Sequence, residues 1–122
     1  MSRNATVLFC DMEEACGKIA SFVAGRERDE VFGDSLCRDA VLYNLLVIGE
    51  AVKRLPEATR KAHSDIPWRE IAGLRDVVAH AYFALDDEIL WDAIQTDLPA
   101  LRSRLRHLLA AGTPPGSSTP SL

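Results

Sequence analysis

The segment Arg75–Tyr82 places three chemically different side chains within eight residues. Arg75 offers a rigid fork of N–H donors that matches the oxygens of a phosphate group. His80 supplies an imidazole, which gives and takes protons near neutral pH, and Tyr82 adds a phenol. An arginine and a histidine are enough to promote attack of a 2′-hydroxyl on a neighbouring phosphodiester. The base removes the hydroxyl proton and the cation stabilises charge on the phosphate oxygens, without a metal ion.

The spacing of these residues restricts how they can meet. At about 100° per residue, Arg75 and Tyr82 lie on nearly the same face of a straight α-helix, whereas His80 lies about 140° from Arg75. Either the helix is distorted near His80, or two copies of the chain share their motifs across an interface. A purely structural interpretation is also open, in which Arg75 pairs with a carboxylate and Tyr82 belongs to the core.

The elements that carry this segment are expected to be helices. Apolar residues recur at intervals of three and four, which is typical of amphipathic helices, and no segment alternates as a strand would. Polar N-caps and helix-stopping prolines indicate the ends. Four helices are predicted, from Asp11 to Ala24, from Asp34 or Ser35 to Leu55, from Pro67 through the candidate segment, and from Asp86 to Leu108.

Shorter features fill the gaps between these helices. Short turns or helices are expected in residues 26–33 and 56–63, and Pro99 predicts an interruption of the last helix near Asp97. The fold class is therefore all-α, an up-and-down antiparallel bundle of four to five helices. We expect an N-terminal segment in residues 1–10, a helical domain in 11–110, and a disordered Pro/Ser/Gly-rich tail in 111–122.

Composition excludes several classes of protein. The chain has 122 residues, enough for one domain, and its longest apolar runs of about six residues are too short to span a bilayer. Three cysteines without metal-clip spacing indicate free thiols in a reducing cytoplasm, not a disulfide framework or a zinc site. The net charge of −4 argues against a general nucleic-acid coat. Residues 52–75, with six basic and three acidic residues, either hold an anion locally or form an ordinary solvated face.

The pattern Arg-x4-His-x-Tyr at Arg75–Tyr82 resembles the signature of the HepT-like toxins, a branch of the HEPN superfamily of helical ribonucleases. The resemblance extends beyond the motif. Residues 39–51 are similar to the second helix of that family, residues 66–76 to the approach to its motif, and residues 86–91 to the segment that follows. It covers about Asp11 to Leu109.

The resemblance implies a HEPN-type bundle that dimerises and sets two motifs around one cleft. By similarity, Arg75 and His80 are the catalytic pair and Asp76 orients the site. Glu50, on a stretch that resembles the family, either supports the cleft by pairing with an arginine or is an ordinary solvent-exposed glutamate. Tyr82 matches the tyrosine that a partner, the MntA minimal nucleotidyltransferase antitoxin, modifies with AMP in this family. Neither a metal nor another cofactor is expected.

These expectations combine into one functional hypothesis and two alternatives. The chain is expected to be a cytoplasmic, homodimeric, metal-independent endoribonuclease, the toxin of a type VII-like toxin–antitoxin pair, silenced by AMP addition at Tyr82. The first alternative is a non-catalytic HEPN module that binds nucleotide or RNA, or scaffolds a nucleotidyltransferase partner. The second is a bundle with a purely structural role in dimerisation.

Overall fold

The computed structural model describes residues 3–80, 84 and 86–111, and within them it contains helices and no strand. This confirms the all-α class. The last helical stretch runs through a π-helical segment, Ala93–Asp97, that joins its two α-helical parts. The helices are α1 Arg3–Val23, α2 Arg28–Gly33, α3 Ser35–Arg54, α4 Glu57–Ala62, α5 Trp68–His80, α6 Asp87–Asp92 and α7 Leu98–Ala111.

Helix α1 packs antiparallel to α3, and α5 packs on α3. At one end of the pair, the Cys37 thiol at the start of α3 donates to the carbonyl oxygen of Phe22, near the end of α1, over 3.6 Å. At the other end, Leu8 of α1 lines one pocket with Ala51 and Arg54 of α3. The bundle predicted from the helical periodicity is therefore present.

Helix α7 packs against a second side of α1 and runs antiparallel to it. Glu13 accepts hydrogen bonds from Nε of Arg102 at 2.8 Å and from Nε of Arg106 at 3.2 Å. One turn further along α1, Cys16 shares a cavity with Leu98, which lies nearer the start of α7. The hydrogen bond from Arg102, followed by that from Arg106, holds the pKa of Glu13 below its ordinary value. Charge pairing thus supports the helix contact beside the apolar core.

The predicted starts of α3 and α6 are confirmed, and of the two N-caps expected for α3, Asp34 or Ser35, the structure shows Asp34. Oδ1 of Asp34 accepts from the backbone N–H groups of Leu36 and Cys37, at 3.1 and 3.3 Å. Oδ1 of Asp86 accepts in the same way from Glu88 and Ile89, at 2.9 and 3.3 Å. These bonds satisfy backbone donors that lack a partner within the helix.

The predicted start of the first helix is wrong. Asp11 is not an N-cap, because α1 already begins at Arg3 and Asp11 lies exposed in its middle. The buried residues Ala5, Leu8 and Phe9 continue the apolar stripe toward the N-terminus. Residues 3–10 are therefore part of α1 and not a separate N-terminal segment. An aspartate on the solvent face of a helix therefore does not by itself mark where the helix begins.

The interruption predicted near Asp97 is present as the π-helical segment. Pro99 has no N–H to donate to the carbonyl of residue 95, so the regular ladder cannot pass through it. The wider turn keeps Ala93 and Ile94 buried within the segment and Leu98 buried directly after it. Of the predicted disordered tail at 111–122, Ala111 is the last residue of α7, and residues 112–122 lie outside the described residues. Among those described, no helix combines the length and the apolar character that crossing a bilayer requires.

Candidate functional site

Helices α3 and α5 approach each other closely at Arg75. The approach depends on Gly49, which is buried in the middle of α3. A β-carbon added at Gly49 would overlap Cβ of Arg75 and would lie 3.2 Å from its Cα. Only a residue without a side chain leaves room for the Arg75 backbone at this crossing.

The guanidinium of Arg75 lies between two carboxylates. Nε of Arg75 is 3.5 Å from Oε2 of Glu50 on α3, and its Nη1 donates to Oδ1 of Asp76 at 3.4 Å. The expected pairing of Glu50 with an arginine is therefore observed. The Arg75 side chain remains 29% exposed, so part of it faces solvent. Nε itself is buried and has no hydrogen-bond acceptor among the described residues.

Lys53 completes this charge cluster and was not identified as a site residue from the sequence. Its Nζ donates to Oδ1 of Asp76 at 2.5 Å. This bond, followed by the Arg75 guanidinium, holds the pKa of Asp76 below its ordinary value. The signal available in the sequence was its position three residues after Glu50, on the same face of a helix.

Among the described residues, no hydrogen bond or ion pair joins His80 to Arg75. His80 is the last residue of α5, and its side chain is exposed. Because α5 is α-helical as far as His80, the angle of about 140° between the two positions remains. Of the two arrangements left open by the spacing, a distorted helix is not observed up to His80. Tyr82, the expected AMP acceptor, lies outside the described residues.

No group of three or more histidine, cysteine, aspartate or glutamate side chains within the described ranges is arranged to hold a metal ion. The α3–α5 crossing presents a partly exposed guanidinium held by carboxylates, with an exposed imidazole about one and a half turns further along α5.

The chain is similar to one protein-family model and to several named relatives. Residues 12–108 match the family model HepT-like, described as Ribonuclease HepT-like. The "Probable ribonuclease HepT" of Thermococcus cleftensis is 38% identical over 112 residues, which cover 88% of this chain and 98% of that protein. The "Putative RNase TTE0752" of Caldanaerobacter subterraneus subsp. tengcongensis is 35% identical over 96 residues, 79% of this chain and 86% of that protein. No solved structure gives a significant match.

Proposed function

This chain belongs to the HepT-like ribonuclease family, and we propose that it is a metal-independent endoribonuclease whose reaction is carried by Arg75 and His80. The observation that carries the proposal is the placement of Arg75. Its backbone is fixed against Gly49, while its guanidinium is aligned by Glu50 and still reaches solvent. A pre-positioned cation of this kind stabilises charge that develops on a phosphate in the transition state.

The proposed reaction is attack of the RNA 2′-hydroxyl on the adjacent phosphorus. His80 removes the hydroxyl proton, and the 2′-oxygen forms the new bond to phosphorus. The 5′-oxygen leaves with the electrons of the broken bond and takes up a proton from an imidazolium or from water. Arg75 binds the non-bridging oxygens throughout. The products are a 2′,3′-cyclic phosphate and a 5′-hydroxyl end.

We propose that the working enzyme is a homodimer with composite sites. His80 and Arg75 point apart on a helix that is regular up to His80, so one chain alone does not aim them at one phosphate. A twofold axis beside α5 would bring His80 of one copy to Arg75 of the other.

Mixed dimers test this arrangement directly. Neither Arg75→Ala nor His80→Ala alone should cleave RNA efficiently, but a re-equilibrated mixture should regain activity because some composite sites are intact. A single-chain site would show no recovery in the mixture. Sedimentation showing a fully active monomer would also overturn the proposal.

Control of this activity is proposed to act through Tyr82 and a minimal nucleotidyltransferase antitoxin. The phenol oxygen of Tyr82 would attack the α-phosphorus of ATP, releasing pyrophosphate and a proton, and would become linked to AMP. The added anion and purine would repel and obstruct RNA next to His80.

The cysteines Cys10, Cys16 and Cys37 form no disulfide, which suits the proposed cytoplasmic location of such a toxin–antitoxin pair.

The activity itself is tested by incubating the purified chain with RNA in EDTA and analysing the product ends. We expect cleavage that survives the chelator and leaves 2′,3′-cyclic phosphate ends. Cleavage that EDTA abolishes and added metal restores would contradict metal independence. Binding of RNA or nucleotide without any cleavage would support the alternative of a non-catalytic HEPN module.

A further inference from the structure

A groove of about 820 Å³ runs between α4 and α5, beside the Arg75 cluster. We call it the α4–α5 groove. Its floor includes Ile66 and Pro67, and its charged lining consists of Glu57, Arg60, Lys61, Arg69, Glu70 and Asp76.

Two of the cations in this groove have no carboxylate partner among the described residues. Among the lysines and arginines, all of which lie in the described part of the chain, ten are within 4.0 Å of a described carboxylate. The four exceptions are Arg3, Arg54, Arg60 and Arg69. Arg60 and Arg69 therefore bring two guanidinium groups without a described ion-pair partner to one groove of a chain whose net charge is −4.

Arg60 also carries an unsatisfied polar atom. Its Nε is buried and has no hydrogen-bond acceptor among the described residues. A buried donor without an acceptor is unfavourable, because it has lost water and gained nothing in return. An anion in the α4–α5 groove would supply acceptor oxygens to this side chain.

The charges in the groove and in the neighbouring Arg75 cluster sum to a small positive net charge. Glu57 pairs with Lys61 at 3.1 Å, so these two charges cancel. Asp76 is held by Lys53 and Arg75, a cluster that Glu50 makes neutral overall. Glu70 opposes Arg60 and Arg69, which leaves one net positive charge for a ligand.

We propose that the α4–α5 groove binds the single-stranded RNA that flanks the scissile phosphodiester, with Arg60 and Arg69 each contacting a backbone phosphate. The inference rests on the proposed ribonuclease function and extends it. Continuity favours RNA as the occupant, because Asp76 lines the groove and also accepts a hydrogen bond from Arg75. A strand with one phosphate at Arg75 can continue along the same surface. The guanidinium fork suits phosphate oxygens, and the apolar floor suits sugars and bases.

The salt dependence of binding to an uncleavable RNA tests this inference. A 2′-O-methyl oligonucleotide of about twelve residues lacks the attacking hydroxyl and reports binding alone, by fluorescence anisotropy. Each phosphate contact to a single strand contributes about 0.7 to the slope of log affinity against log salt concentration. The double variant Arg60→Gln/Arg69→Gln should therefore lower the magnitude of the slope by about 1.4.

Arg28→Gln is the matched control, since Arg28 lies on α2 and pairs with Asp29 and Glu88. It should retain the wild-type slope. Because Arg60 is partly buried, the exposed single variant Arg69→Gln provides a second measurement, with a decrease of about 0.7. A slope in both groove variants that equals the slope of the control would overturn the proposal.

The experiment distinguishes failure of the groove proposal from failure of the ribonuclease proposal. If the wild-type chain binds the oligonucleotide with the expected slope change but cleaves no RNA, the groove is supported and the catalytic proposal is wrong. If the chain cleaves RNA while the groove variants bind with the wild-type slope, the groove is wrong and the catalytic proposal stands. Polyglutamate that binds as tightly as the oligonucleotide at equal salt would assign the groove to an acidic protein partner and overturn RNA as its occupant.

Discussion

Gly49 and Arg75 pack closely against each other across the α3–α5 crossing. A β-carbon at position 49 would lie 3.2 Å from Cα of Arg75 and would overlap its Cβ. The same approach brings Glu50, the next residue of α3, to 3.5 Å from Nε of Arg75. One glycine therefore sets both the packing of two helices and the position of the proposed catalytic cation.

Replacing Gly49 with alanine should separate α3 from α5 and displace Arg75. Overpacking of this kind destabilises by about 1–3 kcal/mol, while the gain in helix propensity returns about 0.5–1 kcal/mol. We expect a lower free energy of unfolding in urea and slower RNA cleavage. When the ratio of the cleavage rates is expressed as a free energy, it should exceed the loss in the free energy of unfolding.

Gly73→Ala is the control for this substitution. Gly73 lies within α5, and an added β-carbon would meet no atom within 4 Å, so alanine should stabilise the helix by about 0.5–1 kcal/mol. If Gly49→Ala stabilised the protein as Gly73→Ala does, the close crossing described here would be wrong.

Glu50→Gln should slow cleavage while leaving the fold intact. The substitution keeps the size of the side chain but removes the charge that aligns the Arg75 guanidinium. Because Glu50 is half exposed, its ion pair contributes no more than about 1 kcal/mol to stability. We expect kcat to fall several-fold with a smaller change in KM.

Glu88→Gln provides the comparison, because it removes a carboxylate from an exposed pair with Arg28 on another part of the surface. Its kinetics should match the wild type. Equal kinetics for Glu50→Gln and Glu88→Gln would remove Glu50 from the site.

Glu13 should make the stability of the bundle depend on pH in the acid range. Its pKa is held below the ordinary value of about 4.3, first of all by the hydrogen bond from Arg102. A carboxyl whose pKa is lower in the folded state stabilises the fold above its unfolded pKa, and this contribution is lost as pH falls through the folded pKa.

The measurement is urea unfolding of Glu13→Gln and wild type at pH 7 and near pH 3. The variant should be less stable at pH 7, and the difference should shrink at the lower pH. Glu14→Gln, which removes only an exposed pair with Lys18, should show a smaller difference at pH 7. A difference between Glu13→Gln and wild type that grew on acidification would have the opposite sign and contradict this assignment.

Tyr82→Phe should abolish control by AMP addition and leave RNA cleavage intact. The substitution keeps the aromatic ring but removes the oxygen that would accept AMP. Incubation of the wild-type chain with its nucleotidyltransferase and ATP should add one or more AMP units to its mass and silence cleavage. The phenylalanine variant should stay active and unmodified, and AMP addition to that variant would show that another residue is the acceptor.

The helices could be read from the sequence wherever the apolar spacing was regular and a cap was unambiguous. The starts of α3, at Asp34 or Ser35, and of α6, at Asp86, were predicted correctly because an acid precedes an apolar stripe and the residue types suit an N-cap. Asp11 gave the same local signal inside a longer helix. Only the burial of Ala5 and Phe9 against the rest of the bundle shows that α1 starts earlier.

The site was less accessible to sequence reasoning because its contacts join separate helices. The pairing of Glu50 with an arginine could be expected from the family resemblance and is present. The bond between Lys53 and Asp76 depends on how α3 and α5 cross, which periodicity does not specify. Gly49 gave a usable signal, since glycine is unfavourable in the middle of a helix unless another backbone comes close.

The central claim is that Arg75 and His80 carry out RNA cleavage, and the cleavage rates of Arg75→Ala and His80→Ala test it most directly. Both variants should retain the circular dichroism and oligomeric state of the wild type. Removal of the imidazole should lower the rate by about 10²–10⁴-fold, and removal of the guanidinium by a comparable factor. Folded variants that both cleave RNA at the wild-type rate would contradict the account.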